Sequence, residues 1–250
     1  MKRAMYYFGM PVCSNCQSSL DGEYCSTCGQ RDLDLEKPIW CLVGTVISET
    51  FEVDGRAAST VRTLFLHPGI LTAEFLAGRR VAYSPPLRVY LVFSIVFFLL
   101  IAWFASSGLL REPGSDLTFD AAVQARFLSD DLPTLMFLLL PIFAMLMKIA
   151  YRKRLYFDHL IFSLHLHCVA YVALAIMLPL EAVTTRHFIL LLVQGIVFLS
   201  FLAHFMVAVH RVYRAGWLAD MVRSALVLVM YVIVVSVAIE VTSEFAIITD

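Results

Sequence analysis

Charge is scarce in this 250-residue chain: Asp, Glu, Lys and Arg make up 16% of it, against about a quarter in an ordinary soluble domain. Neither sign dominates, since the formal net charge is −1. A nucleic-acid-binding protein needs a marked basic excess to meet phosphates, so that class is excluded and no nucleic-acid partner is expected. Sixty per cent of the residues are apolar and the mean hydropathy is +0.79, which excludes a disordered chain and a soluble coiled coil and indicates a membrane protein.

The first ten residues carry Lys2 and Arg3 but no apolar run long enough for a signal peptide, and Pro11 follows at once. The six cysteines do not form a disulfide framework either. Cys13, Cys16, Cys25 and Cys28 crowd one polar segment, with only Cys41 and Cys168 elsewhere. The segment is therefore expected to stay in a reducing cytosol.

Two C-x-x-C pairs separated by eight residues can bring four thiolates around one tetrahedral ion. Asp21-Gly22 is a turn signal between the pairs, and Gly29 gives the second knuckle its backbone freedom. A Cys₄ set leaves no coordination position open, so the reading is one structural zinc per chain held by Cys13, Cys16, Cys25 and Cys28. Iron in a rubredoxin-like site and a redox dithiol pair are the competing readings. The ribbon either docks a cytosolic partner or simply folds a segment too short to build its own core.

The fold class expected is an all-α polytopic membrane protein: a zinc ribbon over residues 1–37, an amphipathic segment over 38–88 and a membrane domain over 89–250. In the middle segment, residues 39–51 place Val43, Val46, Ile47 and Phe51 at helical spacing, and residues 61–76 form a second mixed stretch interrupted by His67-Pro68-Gly69. Two helices on the membrane surface, or a small self-packed helical domain, both fit.

Five long apolar runs follow, at about 89–110, 132–151, 159–180, 187–210 and 224–242, the length that a ~30 Å hydrocarbon core demands. The fifth is the shortest. Pro141 is expected to kink the second. Sixteen of the nineteen basic residues lie before the first run, between the second and third, or between the fourth and fifth; only Arg111, Arg126 and Arg186 lie on the other side. This asymmetry predicts a cytosolic N-terminus and, with five crossings, an external C-terminus. It also accounts for Arg79, Arg80, Arg152, Lys153 and Arg154, which would sit among lipid headgroups.

No catalytic set emerges. There is no H-E-x-x-H, no Gly-rich phosphate loop and no nucleophile elbow around Ser163 or Ser200. His159, His165, His167 and His204 form a possible intramembrane polar site. At about 100° per residue, however, His165 points well away from His159 and His167, so the three make no single ligand face. Pairing His165 or His167 with His204 on a haem is one reading, and a neutral histidine bonded to a neighbouring helix is the other.

A family resemblance rests on several motifs together: Tyr24-Cys25-x-x-Cys28-Gly29-Gln30, Arg62-Thr63-Leu64, His67-Pro68-Gly69, Phe75-Leu76-x-Gly78-Arg79-Arg80, and Asp158-His159 followed by His165-x-His167. The chain resembles the bacterial family of zinc-ribbon membrane proteins catalogued as domain of unknown function 3667, in which many members carry Arg-Pro-Gly in place of His67-Pro68-Gly69. The resemblance implies this architecture and a bacterial inner-membrane location, and it brings no established activity. Five helices with termini on opposite sides are also similar to Yip1-like membrane proteins, in topology alone. The leading expectation is a non-enzymatic scaffold, docking or lipid-associated protein. The competitor is a small transporter or a haem or metal redox protein using the intramembrane histidines.

Overall fold

The computed structural model describes residues 5–7, 10–20, 22–31, 56–107, 131–184 and 188–248. The expected amphipathic helix at 39–51, the Asp21 half of the turn signal and nearly all of the acidic loop at 112–131 lie outside them. A short antiparallel hairpin, β1 (Met5–Tyr7) and β2 (Met10–Val12), pairs Met5 with Val12 and leads into the cysteine segment. Every other element is helical.

Two short helices come next, α1 (Ala57–Leu66) and α2 (Ile70–Leu76). Ser59 and Thr60 donate their hydroxyls to the Arg56 carbonyl at 2.8 Å and secure the first turn of α1. Pro68 disfavours helical geometry at His67, whose φ of −129° and ψ of 75° end the helix. Gly69, at φ 76°, then turns the chain into α2. A β-carbon on Gly69 would lie 2.8 Å from the Ala208 backbone, so glycine serves both the left-handed turn and close packing. The second helix ends in a Schellman arrangement: Arg79 N–H donates to the Glu74 carbonyl at 2.9 Å and Gly78, at φ 83°, donates to Phe75 at 3.1 Å.

Five long helices follow: α3 (Pro86–Ser106), α4 (Leu132–Ala150), α5 (Tyr156–Thr184), α6 (Phe188–Tyr213) and α7 (Trp217–Ile248). Each is long and apolar enough to cross a bilayer. The fifth extends well beyond the expected 224–242 at both ends. Asp220 and Arg223 resemble loop residues in the sequence but lie within its first turns.

At the centre lies α5, which packs against α3, α4 and α6 and against both short helices, while α7 covers α4 and α6. Within the spans 56% of α5 is buried but only 11% of α6 and 6% of α7, so the last two present most of their apolar surface outward, where lipid replaces water. Aromatic packing fills the middle, with Phe97 stacked on Tyr171 at 4.9 Å and Phe143 edge-on to Tyr231 at 4.9 Å. Exposed Trp217 and Trp103 mark opposite ends of the bundle, as interfacial tryptophans do.

Candidate metal centre and the hairpin beneath it

The two cysteine pairs fold into matching knuckles. Cys13 N–H donates to the Ser18 carbonyl and Cys25 N–H to that of Gln30, both at 2.9 Å, while Gln17 and Gly29 return to the Cys13 and Cys25 carbonyls at 2.8 and 2.9 Å. Each return requires a left-handed residue: Gly29 at φ 71° and, in the first knuckle, Gln17 at φ 63°. Glycine marks only the second such position, so the sequence reveals half of the symmetry. Bridges between Val12 and Ser19 and between Tyr24 and Arg31 close the two loops.

The four sulfurs lie within 4.8 Å of one another, with Cys13 to Cys28 at 3.6 Å and Cys16 to Cys25 at 3.5 Å. A tetrahedral site with zinc–sulfur bonds of about 2.3 Å has sulfur–sulfur edges of about 3.8 Å, so the quartet fits one such ion. Ser18 Oγ lies 2.9 Å from the Cys16 sulfur and 3.2 Å from that of Cys25. Its hydrogen bonding holds both thiols below their ordinary range, Cys25 at about 6, whereas burial pushes Cys13 up to about 11. With Leu20, Cys13, Cys25 and Cys28 form a small cluster separate from the bundle core.

Gln30 fastens this ribbon to the helices. Its side-chain amide donates to the Gly78 carbonyl at 2.6 Å and accepts the Arg80 N–H at 3.1 Å, reading both polarities of one backbone stretch. Gly78 is glycine for a second reason here, because a β-carbon would come within 2.7 Å of Ser14. Beside this contact Arg79 makes a two-pronged pair with Glu74, both bonds at 2.5 Å, which holds the Glu74 carboxyl below its usual range.

The histidines are drawn to different neighbours. His159 Nδ1 meets the Tyr213 hydroxyl of α6 at 2.8 Å, and His165 Nδ1 meets Thr72 Oγ1 of α2 at 2.9 Å. His167 Nδ1 lies 2.8 Å from the Ser163 carbonyl, which can only accept, so Nδ1 carries the proton and Nε2 accepts from Tyr231 of α7 at 2.8 Å. This dispersal agrees with the absence of a single ligand face. His165 and His204 do line one small cavity, with Thr72 and Gly69, but its volume of about 10 Å³ suits a single water and has no room for a porphyrin. His165 Nε2 has no partner among the described residues.

Buried Asp220 accepts from Tyr151 at 3.2 Å and faces His210 Nδ1 at 2.8 Å, joining the end of α4 to α6 and α7. Burial pushes the Tyr151 phenol up to about 12. Arg154 donates to the Val212 carbonyl at 2.7 Å and lies 3.9 Å from Asp158. Arg152 and Lys153 are exposed, so the residues expected at headgroup level divide into bonded Arg79, Arg80 and Arg154 and two outward-facing ones. Gln30, Ser18, Thr72, Tyr213, Tyr231 and Asp220 were not singled out by spacing. Only Gln30 carries a sequence signal, its place directly after Cys28-Gly29.

No curated protein and no solved structure matches this chain. Residues 54–98 match the family model described as "Protein of unknown function (DUF3667)". The matched stretch contains α1, the glycine turn, α2, the Gln30 docking point and the first half of α3. Over this segment the chain is similar to the DUF3667 family.

Proposed function

We propose that this protein is a multi-pass scaffold of the bacterial inner membrane, non-enzymatic, with a zinc-held ribbon fixed on its cytosolic side as a docking face for a protein partner. The observation that carries the reading is the two-way bond of Gln30 to Gly78 and Arg80, which makes the ribbon an extension of the bundle. A ribbon that only needed to fold would not require it. A closed Cys₄ set suits a structural zinc, and rubredoxin-like iron, which takes the same four thiolates, is the alternative that metal analysis separates from it. Beyond the clamp, Tyr24 is 58% exposed with Arg31 over its ring, an aromatic and cationic pair of the kind protein interfaces favour.

The transporter or redox reading has less support, because His159 and His167 are engaged by tyrosines and the His165 cavity is about water-sized. Gln30→Ala in the full-length protein tests the docking claim. The variant should keep its metal while amide exchange and proteolytic cleavage within the ribbon rise. Unchanged protection would mean that the clamp does not hold the ribbon.

A further inference from the structure

The turn between α1 and α2 reaches well inside the bundle. His159 bonds Tyr213 and Arg154 bonds Val212, which sets the start of α5 and the end of α6 at one level. From that level His165 is six residues inward and His204 nine, about 9 and 14 Å at 1.5 Å per residue. Both line the cavity that Leu64, Gly69 and Thr72 also line, and Gly69 itself lies against Ala208, about 8 Å in. The α5 span of 25 residues is about 37 Å long against a hydrocarbon core of about 30 Å, so only a few ångströms of it project at each end. With the five helices in a bilayer, the hairpin therefore enters the leaflet.

That depth gives the outward face of α1 a chemical problem. Thr60 and Leu64 are buried, whereas Ser59, Arg62 and Leu66 are exposed on the opposite side, Leu66 at 65%. Arg62 has no hydrogen-bond or ion-pair partner among the described residues. It shares an open concavity of about 520 Å³ with Thr63, Ser59, Ala58 and His67. An arginine at this level extends its guanidinium toward the interface and needs an anion there. Ser59 spends its one proton on the Arg56 or Ala82 carbonyl, at 2.8 and 2.6 Å, and keeps lone pairs for a hydroxyl donor.

We propose that Arg62, His67 and the Thr63 hydroxyl hold the phosphate of an anionic phospholipid with a hydroxylated headgroup, its acyl chains running over Leu66. Arginine supplies a planar fork for phosphate oxygens, Ser59 accepts from the headgroup hydroxyl, and Leu66 continues the lipid-facing surface one turn deeper. The site rests on the membrane reading of the five helices and is independent of the ribbon's metal and docking role.

The test is native mass spectrometry of the full-length protein taken from bilayers of phosphatidylcholine mixed with phosphatidylglycerol. The wild type should retain phosphatidylglycerol preferentially. Arg62→Gln should lower that preference about five-fold, the effect of one basic group near a membrane surface, and His67→Gln should lower it less. Arg62→Lys should keep part of it, and Arg152→Gln, exposed outside the concavity, should leave it intact. Unchanged helicity and zinc content would show that the variants are folded; if Arg62→Gln is not, His67→Gln and Arg62→Lys decide. Equal retention of the two lipids by the wild type, or an equal loss in Arg152→Gln, would overturn the site. Inorganic phosphate abolishing the preference would assign the concavity to free phosphate and overturn the lipid proposal.

Discussion

At the scale of single residues the account turns on a few positions where one atom has no room to change. Gly69 combines a φ of 76° with a hypothetical β-carbon 2.8 Å from backbone that cannot swing aside, so Gly69→Ala should cost about 2 kcal/mol or more. Gly195 has nothing within 4 Å, and Gly195→Ala should leave the unfolding midpoint unmoved. Thermal unfolding of both in detergent makes the comparison. Thr72→Val should cost about 1–3 kcal/mol by leaving His165 Nδ1 buried without its partner, and Thr72→Ser should restore most of it. Some of this is legible beforehand and some is not. His67-Pro68-Gly69 reads as punctuation from local chemistry, but its contact with Ala208 and the bond from Thr72 to His165 join distant parts of the chain that no local pattern links. The metal quartet is the opposite case, because four ligands within sixteen residues declare themselves by spacing.

Among elements, the instructive case is α7. A hydropathy reading starts it near residue 224 because Asp220 and Arg223 look like loop residues, yet helix begins at Trp217. The charge is acceptable there because Tyr151 and His210 meet the Asp220 carboxylate and Arg223 lies over the Tyr151 ring, 5.5 Å from its centroid. Asp220→Ala would leave Tyr151 and His210 without their acceptor. Its expected result is faster amide exchange in the first turns of α7 with little change in the middle of α5, and uniform exchange across both helices would contradict the assignment. The five runs themselves are legible because membrane-spanning helices carry a long, one-sided composition signal. The depth of the α1–α2 hairpin is not, because interfacial and inserted helices share one amphipathic period and differ only in what packs on them.

For the whole molecule, the orientation expected from the basic residues predicts that a compartment-sensitive reporter fused after Asp250 is active only on the external face. Activity in the cytosol would remove one crossing. The charges from which this orientation is expected are also structural, since Arg154 binds the Val212 carbonyl and Arg211 that of Pro68, at 2.7 and 2.6 Å. The ribbon, its Gln30 clamp and the hairpin make one continuous assembly at the end of the bundle where these basic residues collect. On the proposed function, that assembly needs an ion to close the cysteine quartet. Metal analysis of the intact purified protein tests this most directly: the account predicts one zinc per chain in the wild type and in Gln30→Ala, and none in Cys13→Ser, whose ribbon should be open to protease. A wild-type protein that carries no metal while its ribbon stays folded and docked, or one that carries iron, would contradict it.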